Sequence, residues 1–317
     1  RAGVKKSENG KILAWKIRAV YAGMVCFAIL LISYRPHEDF RIACLDVGQG
    51  DGIVVEIENR WNILIDGGST NKNELGKYQL LPYLKSRGIS RLDGIYVSHT
   101  DEDHISGIRE LLILGKEEGI QVKALLLPDI SEESRDEAYQ ELAALAEENQ
   151  VPVEYIYEGE AGKDREFQMN CLHPERGLYT SDNNSYSTVL LMEYQGRSLL
   201  LTGDIEGEEE VKMTEELATQ IDVLKVAHHG SKYSSDAAFL EKVLPKAAVI
   251  SCGTNNVYGH PHKEAMERLQ KTGAEIFRTD EDGTILVTIG KDGAMNIETM
   301  TERKPLYENI KEKLEKS

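Results

Sequence analysis

The six residues His99-Thr100-Asp101-Glu102-Asp103-His104 limit the possible folds of this chain more than any other segment. They follow the apolar run 94–98 directly and precede a helical pattern that begins near Ile105. A strand end followed by a sharp loop aims several side chains at one point. Carboxylates crowded there are costly to ionise unless a cation neutralises them, which argues against a merely solvated acidic loop. Imidazole and carboxylate together suit zinc, manganese or iron. His99, Asp101, Asp103 and His104 exceed what one tetrahedral catalytic ion needs and leave positions for two.

Two more apolar runs end in ligand-type side chains. Leu199-Leu-Leu-Thr-Gly-Asp204 ends in a carboxylate, and Val223-Leu-Lys-Val-Ala-His228-His229-Gly230-Ser231 ends in a histidine pair. An Asp behind one strand is usually a turn residue. Three strand ends presenting such groups in one chain are harder to dismiss.

The 317 residues are 41% hydrophobic and 29% charged, an ordinary globular composition with material for a sizeable core. Lys and Arg total 37 against 54 for Asp and Glu, a net charge of -17. That balance excludes a broad basic surface able to hold a polyanion by counterion release. Any nucleic acid must be held locally, by metal, or by another protein part. Cys26, Cys44, Cys171 and Cys252 form no C-x-x-C pair and read as buried small hydrophobes. Arg rather than Met at position 1 fits a fragment or a processed chain.

Residues 19–34 carry no charge, and with Ala14, Trp15 and Ile17 they approach the roughly 20 residues that span a bilayer. Arg1, Lys5, Lys6, Lys11, Lys16 and Arg18 lie upstream against a single Glu8. The positive-inside rule then predicts a transmembrane helix with a cytoplasmic N-terminus and everything after Tyr34 on the outer face. A signal peptide shares this order of segments, but no clear small-residue cleavage site follows.

Beyond Pro36, short β-branched runs alternate with helical ones, the signature of a layered α/β domain. Strands are predicted over 41–47, 53–58, 61–65, 94–98, 122–127, 153–157, 167–172, 188–194, 198–202, 222–227, 247–251 and 284–289. Helices are predicted over 78–87, 105–118, 131–149, 206–219, 236–244 and 263–272, the third started by Ser131 or Ser134. Tight connections at Asn59-Arg60 and Gln195-Gly196 make hairpins, too many for a doubly wound sheet. The expected organisation is a basic flank and membrane helix over 1–37, one domain over 38–290, and a tail over 291–317. The tail holds a short amphipathic helix over 305–316.

The order Asp66-Gly67-Gly68, then H-x-D-x-D-H, then T-G-D, then H-H-G-S resembles the metallo-β-lactamase superfamily. The segments Leu45-Asp-Val-Gly-Gln-Gly-Asp51, Asn184-x-x-Ser187-x-Val189-Leu190 and Gly259-His-Pro-His262 are similar, within it, to the C-terminal domain of ComEC-type DNA-uptake proteins. The resemblance runs from about residue 40 to about residue 290. It implies a four-layer αββα fold and two divalent metal ions, zinc or manganese. It also implies DNA, a membrane, the uptake machinery and the channel part of the same protein as partners. His99 and Asp101 would serve one ion, Asp103 and His104 the other, and Asp204 would bridge them. One of His228 or His229 would complete the second site, with His228 favoured because it directly ends the strand. Asp101 stands where the pattern has a second histidine, and Asn184 where it has an isolated third, so one site is oxygen-rich and the odds shift toward manganese.

The implied chemistry is phosphodiester hydrolysis of DNA by a hydroxide held between two cations. Asp66 would orient a histidine ligand. Lys225 would contact a phosphate, Asn184 and Ser187 would donate to a nonbridging oxygen, and His260 would act on the leaving group or the phosphate. Two other outcomes stay open: hydrolysis of a thioester, lactone or β-lactam on the same fold, and a non-catalytic module of a DNA channel.

Overall fold

The computed structural model describes the backbone of residues 2–33, 40–217 and 220–301, with side chains for 13, 15–30, 40–215, 217 and 220–301. Residues 1–37 and 38–317 are two compact units. In the first, the helix Ala2–Ser33 carries the uncharged stretch. Among the described residues no helix is long and apolar enough to cross a membrane, so the expected spanning helix finds no support there. The side chains of 31–33, residue 34 and the helix expected over 305–316 lie outside the described residues.

The second unit is built on two sheets. The larger has eight strands in the order Met295–Thr299, Ile285–Ile289, Phe40–Cys44, Ile53–Ile57, Trp61–Ile65, Gly94–Tyr96, Leu125–Pro128 and Val153–Ile156. The smaller has seven, in the order Glu275–Arg278, Ala247–Ile250, Val223–Lys225, Arg197–Leu201, Val189–Tyr194, Phe167–His173 and Ala161–Asp164. Their inner faces share one core, with Ile42, Val55, Ile65, Met192, Leu199 and Val249 all buried. A second core joins the larger sheet to helices Leu81–Arg87, Glu102–Leu114 and Glu137–Glu148. A third joins the smaller sheet to Gly207–Glu216, Ala237–Val243 and Lys263–Thr272. Helix, sheet, sheet and helix give the four layers, because each sheet is apolar on both faces and needs a cover on both.

Four elements differ from expectation. The sheet runs past the expected boundary at 290, since Met295–Thr299 pairs antiparallel with Ile285–Ile289. Ala161–Asp164 has no β-branched residue and takes strand form by pairing with Phe167–His173. Glu275–Arg278 adds a parallel edge beside Ala247–Ile250. The helix expected from 131 begins at Glu137, because Asp136 rather than a serine caps it, accepting from Tyr139 N at 2.8 Å.

Parallel neighbours decide where the chemistry collects. Trp61–Ile65 runs parallel to Gly94–Tyr96, and Arg197–Leu201 parallel to Val223–Lys225. Their C-terminal ends therefore open on one edge of the sandwich, and the chain leaves them at Asp66, Val97, Thr202 and Val226. Gly68 lets two of these exits touch, since a Cβ there would sit 2.4 Å from both Asp103 C and His104 N. Gly68→Ala therefore forces the start of helix Glu102–Leu114 away. We expect a cost of about 1–3 kcal/mol, read as a lower thermal midpoint, with less metal retained after dialysis.

Candidate metal centre

Three histidines converge on one carboxylate. Nε2 of His104, His229 and His99 lies 3.3, 3.5 and 4.0 Å from Asp204 Oδ2. His229 Nε2 is also 3.3 Å from Asp103 Oδ2, and His99 Nε2 is 3.8 Å from Asp101 Oδ2. The opposite nitrogen of each ring is held from behind. His104 Nδ1 lies 2.9 Å from Asp66 Oδ2, and His229 Nδ1 lies 2.9 Å from the Ser251 carbonyl. His99 Nδ1 is 3.1 Å from Ser98 Oγ, whose hydrogen goes to Asp66 Oδ2 at 2.7 Å. With Nδ1 the natural donor in each ring, the Nε2 lone pairs face the centre.

Those inward atoms make no hydrogen bond. Nε2 of His99, His104 and His229 and Oδ1 of Asp204 are all buried and unsatisfied. Orphaned buried acceptors are costly, and four around one point fit a cation. Two groups of mutually close donors overlap at His104: His99, His104 and Asp204, with Asp101 beside His99, and Asp103, His104 and His229, with Asp204 beside His229. Nitrogen with carboxylate oxygen is chemistry for zinc, manganese or iron.

Without cations the site is balanced by protons. Burial opposes charge on His104, yet Asp204 and Asp66 outweigh it and hold its pKa well above the usual imidazole value. His229 is raised against burial by the carboxylates of Asp204, of Asp103 beside its Nε2 and of Asp51. Asp204 is buried, which alone would raise it, but His229 and His104 hold it far below the ordinary carboxylate range. His99 goes the other way, lowered by burial and then by the charge of His104.

Several expected roles change. His229, not the favoured His228, enters the cage. The strand ends at Lys225, and both histidines sit in a turn at positive φ, 47° and 52°. His228 instead turns its Nδ1 to Glu206 Oε2 at 2.8 Å and keeps Nε2 4.0 Å from Asp204. Lys225 cannot meet a phosphate: it is 1% exposed and paired with Asp51 at 2.8 Å. Ser187 is equally buried, and its hydroxyl accepts from the Asp204 backbone N–H at 3.1 Å, so it positions the bridging carboxylate rather than a substrate oxygen. Asn184 lies at the rim, its amide nitrogen 3.5 Å from His228 Nδ1. The ring of His260 stands 5.4 Å from that of His228 and 6.2 Å from that of His229. Asp101 is half-exposed at the mouth of the site.

The site also uses residues that the sequence reading passed over. Asp51, quoted there only as the end of the segment that begins at Leu45, is buried and ties the larger sheet's loop to Lys225 of the smaller sheet. Asn183, one residue before the expected Asn184, donates to Asp101 Oδ1 at 2.8 Å and to Asp136 Oδ2 at 3.0 Å. Asp101 Oδ2 is thereby left facing His99. The doubled asparagine was the available signal.

A family model described as the metallo-beta-lactamase superfamily matches residues 45–254. The chain belongs to that superfamily. This metallo-beta-lactamase-superfamily chain is 36% identical over 284 residues to ComE operon protein 3 of Bacillus subtilis, covering 84% of this chain and 35% of that protein. It is 31% identical over 291 residues to Recombination protein 2 of Haemophilus influenzae, covering 90% and 34%. Competence protein ComA of Neisseria gonorrhoeae is 31% identical over 283 residues, covering 86% and 36%. These relatives support the ComEC-type resemblance, and the chain spans about a third of their length. Among solved structures, CmlA, a diiron beta-hydroxylase from Streptomyces venezuelae, shares the fold at a TM-score of 0.51 and 13% identity, covering 81% of this chain and 55% of that one.

Two outcomes follow from this geometry. His104 and His229 hold protons more tightly folded than unfolded, so in metal-free protein their contribution is present below about pH 6.5 and is lost as pH rises through their folded values. Ions displace those protons. The thermal stabilisation by added zinc should therefore grow between about pH 6 and about pH 8, with protons released on binding; a stabilisation independent of pH would contradict the assignment. Lys225→Ala leaves Asp51 buried without its cation and should cost about 3–5 kcal/mol in chemical denaturation.

Proposed function

We propose that this domain is a two-metal phosphodiesterase that cleaves DNA during its uptake. The observation that carries the reading is the set of orphaned Nε2 atoms of His99, His104 and His229 around Asp204, in a cage whose other inward atoms are carboxylate oxygens. Zinc or manganese bound there would supply charge to the oxygens of a phosphodiester and lower the pKa of a water between the ions. His99, Asp101 and Asp204 would hold one ion, and Asp103, His104, His229 and Asp204 the other. The chain's remaining groups do the positioning: Asp66 and Ser98 fix the ring of His104, Ser187 fixes Asp204, and Asn183 fixes Asp101. His228, steadied by Glu206, and Asn184 line the mouth where a nonbridging oxygen would lie.

DNA as substrate draws support from relatives named for competence and for recombination. Placement at a cell membrane, with the hydrolase on the extracytoplasmic side beside the channel part and the uptake machinery, is carried over from the resemblance to the ComEC-type relatives.

Asp103→Ala should abolish cleavage of single- or double-stranded DNA in manganese or zinc, by at least about 100-fold, at unchanged circular dichroism. Nitrocefin and thioester turnover, measured beside DNA, separates this reading from the other hydrolase chemistries. Full metal occupancy with no cleavage of any DNA in either metal would defeat it. Less than one equivalent of metal after reconstitution would favour the non-catalytic channel module.

A further inference from the structure

We propose that the loop 253–260 is a stacking platform for an unpaired nucleobase next to the scissile phosphate, with Tyr258 as its face. The inference rests on the phosphodiesterase reading and deepens it. Val257 is 93% exposed and Tyr258 50% exposed, an apolar pair held out into solvent at the tip of this loop. The loop is nonetheless fixed. Asn256 donates to the carbonyls of Gly253 at 2.8 Å and His260 at 2.6 Å, and its Oδ1 accepts from His260 N at 2.9 Å. Gly253 N is anchored on Gln49 Oε1 at 3.1 Å. A segment whose ends are stapled in this way presents its tip without paying ordering entropy on binding.

Rings lead from the cage to that tip. His228 Nε2 is 4.0 Å from Asp204, the ring of His260 is 5.4 Å from that of His228, and Tyr258 stacks on His260 at 5.8 Å and 23°. A base on the outer face of Tyr258 would continue this series, with its own phosphate directed toward the metals. The chain's charge of -17 removes the usual electrostatic route to nucleic acid. Base stacking on an aromatic face supplies affinity that does not depend on that route. Only an unpaired base has a free face to offer, so the platform selects single strands or frayed ends.

The test compares KM and kcat, in manganese and with the full chain, for an oligothymidylate of about a dozen nucleotides and for a backbone of equal length with tetrahydrofuran in place of every base. We expect KM to be about tenfold lower with bases present, a difference lost in Tyr258→Ala and kept in Tyr258→Phe. The ratio should not change with salt, because stacking releases no counterions. Tyr258→Ala should leave KM for the base-free backbone unchanged, which tells the loss of stacking apart from a general loss of loop structure, since the latter would raise it. Equal KM for the two substrates in the wild-type chain, or an undiminished ratio in Tyr258→Ala, overturns the proposal and assigns Val257 and Tyr258 to another occupant. In that case turnover of bis(p-nitrophenyl) phosphate still upholds the phosphodiesterase reading. No turnover of either oligomer or of the small ester defeats both.

Discussion

Buried negative charge is the constraint on which the rest of this structure depends. Asp51, Asp66 and Asp204 are each at most 2% exposed at the edge of an apolar sandwich, where an unpaired carboxylate costs many kcal/mol. Each has its own remedy. Asp51 takes the ammonium of Lys225. Asp66 accepts from Ser98 N, Ser98 Oγ and His104. Asp204 faces imidazoles alone, and its Oδ1 makes no hydrogen bond. Asp66 is thus satisfied by the protein, Asp51 is balanced by Lys225 although its Oδ1 makes no hydrogen bond, and Asp204 is left for whatever cation enters. The difference separates groups that build the site from the group that waits for its occupant.

That arrangement requires unusual backbone. His228 and His229 both adopt left-handed φ, at a cost of order 1–3 kcal/mol each for residues with a Cβ. The strain sends two adjacent side chains to different places, His229 into the cage and His228 to Glu206. A strand would have pointed them to opposite faces of the sheet, with only one near the metals and the other in the core. Contacts on both sides maintain the turn: Ser234 Oγ bonds the Ala227 carbonyl, and His228 N bonds the Gly203 carbonyl.

Much of this was legible locally and some was not. Alternation of strand and helix patterns, and ligand-type residues at strand ends, are short-range signals, so the layers and the segments carrying His99–His104, Asp204 and the histidine pair could be read directly. The choice between His228 and His229 could not, because it turns on φ angles set by the turn after Lys225. Lys225 itself looked like a phosphate contact, since nothing near it in the chain reveals that Asp51 on the other sheet claims its charge. Edge strands such as Ala161–Asp164 and Glu275–Arg278 are strands by virtue of a neighbour, and their composition carries little trace of it. The start of helix Glu137–Glu148 was misplaced for a related reason. Asp136 both caps that helix and receives Asn183 and Thr100 from the site, so its role belongs to two elements at once.

The two halves of the cage are chemically unequal, and this bears on how a site of this kind would work. Around Asp103, two imidazoles and two carboxylates enclose a point that is almost fully buried, a mixed nitrogen and oxygen set. Around His99, one imidazole faces Asp204 and an Asp101 side chain that is 44% exposed. The second set is more open and, in its carboxylates, harder in character. Asn183 is what keeps it usable. By taking Asp101 Oδ1, and by being fixed in turn to Asp136, it converts a mobile surface carboxylate into one whose free oxygen points inward. On the two-ion reading the closed half would hold its ion tightly, and the open half would be where a substrate oxygen enters.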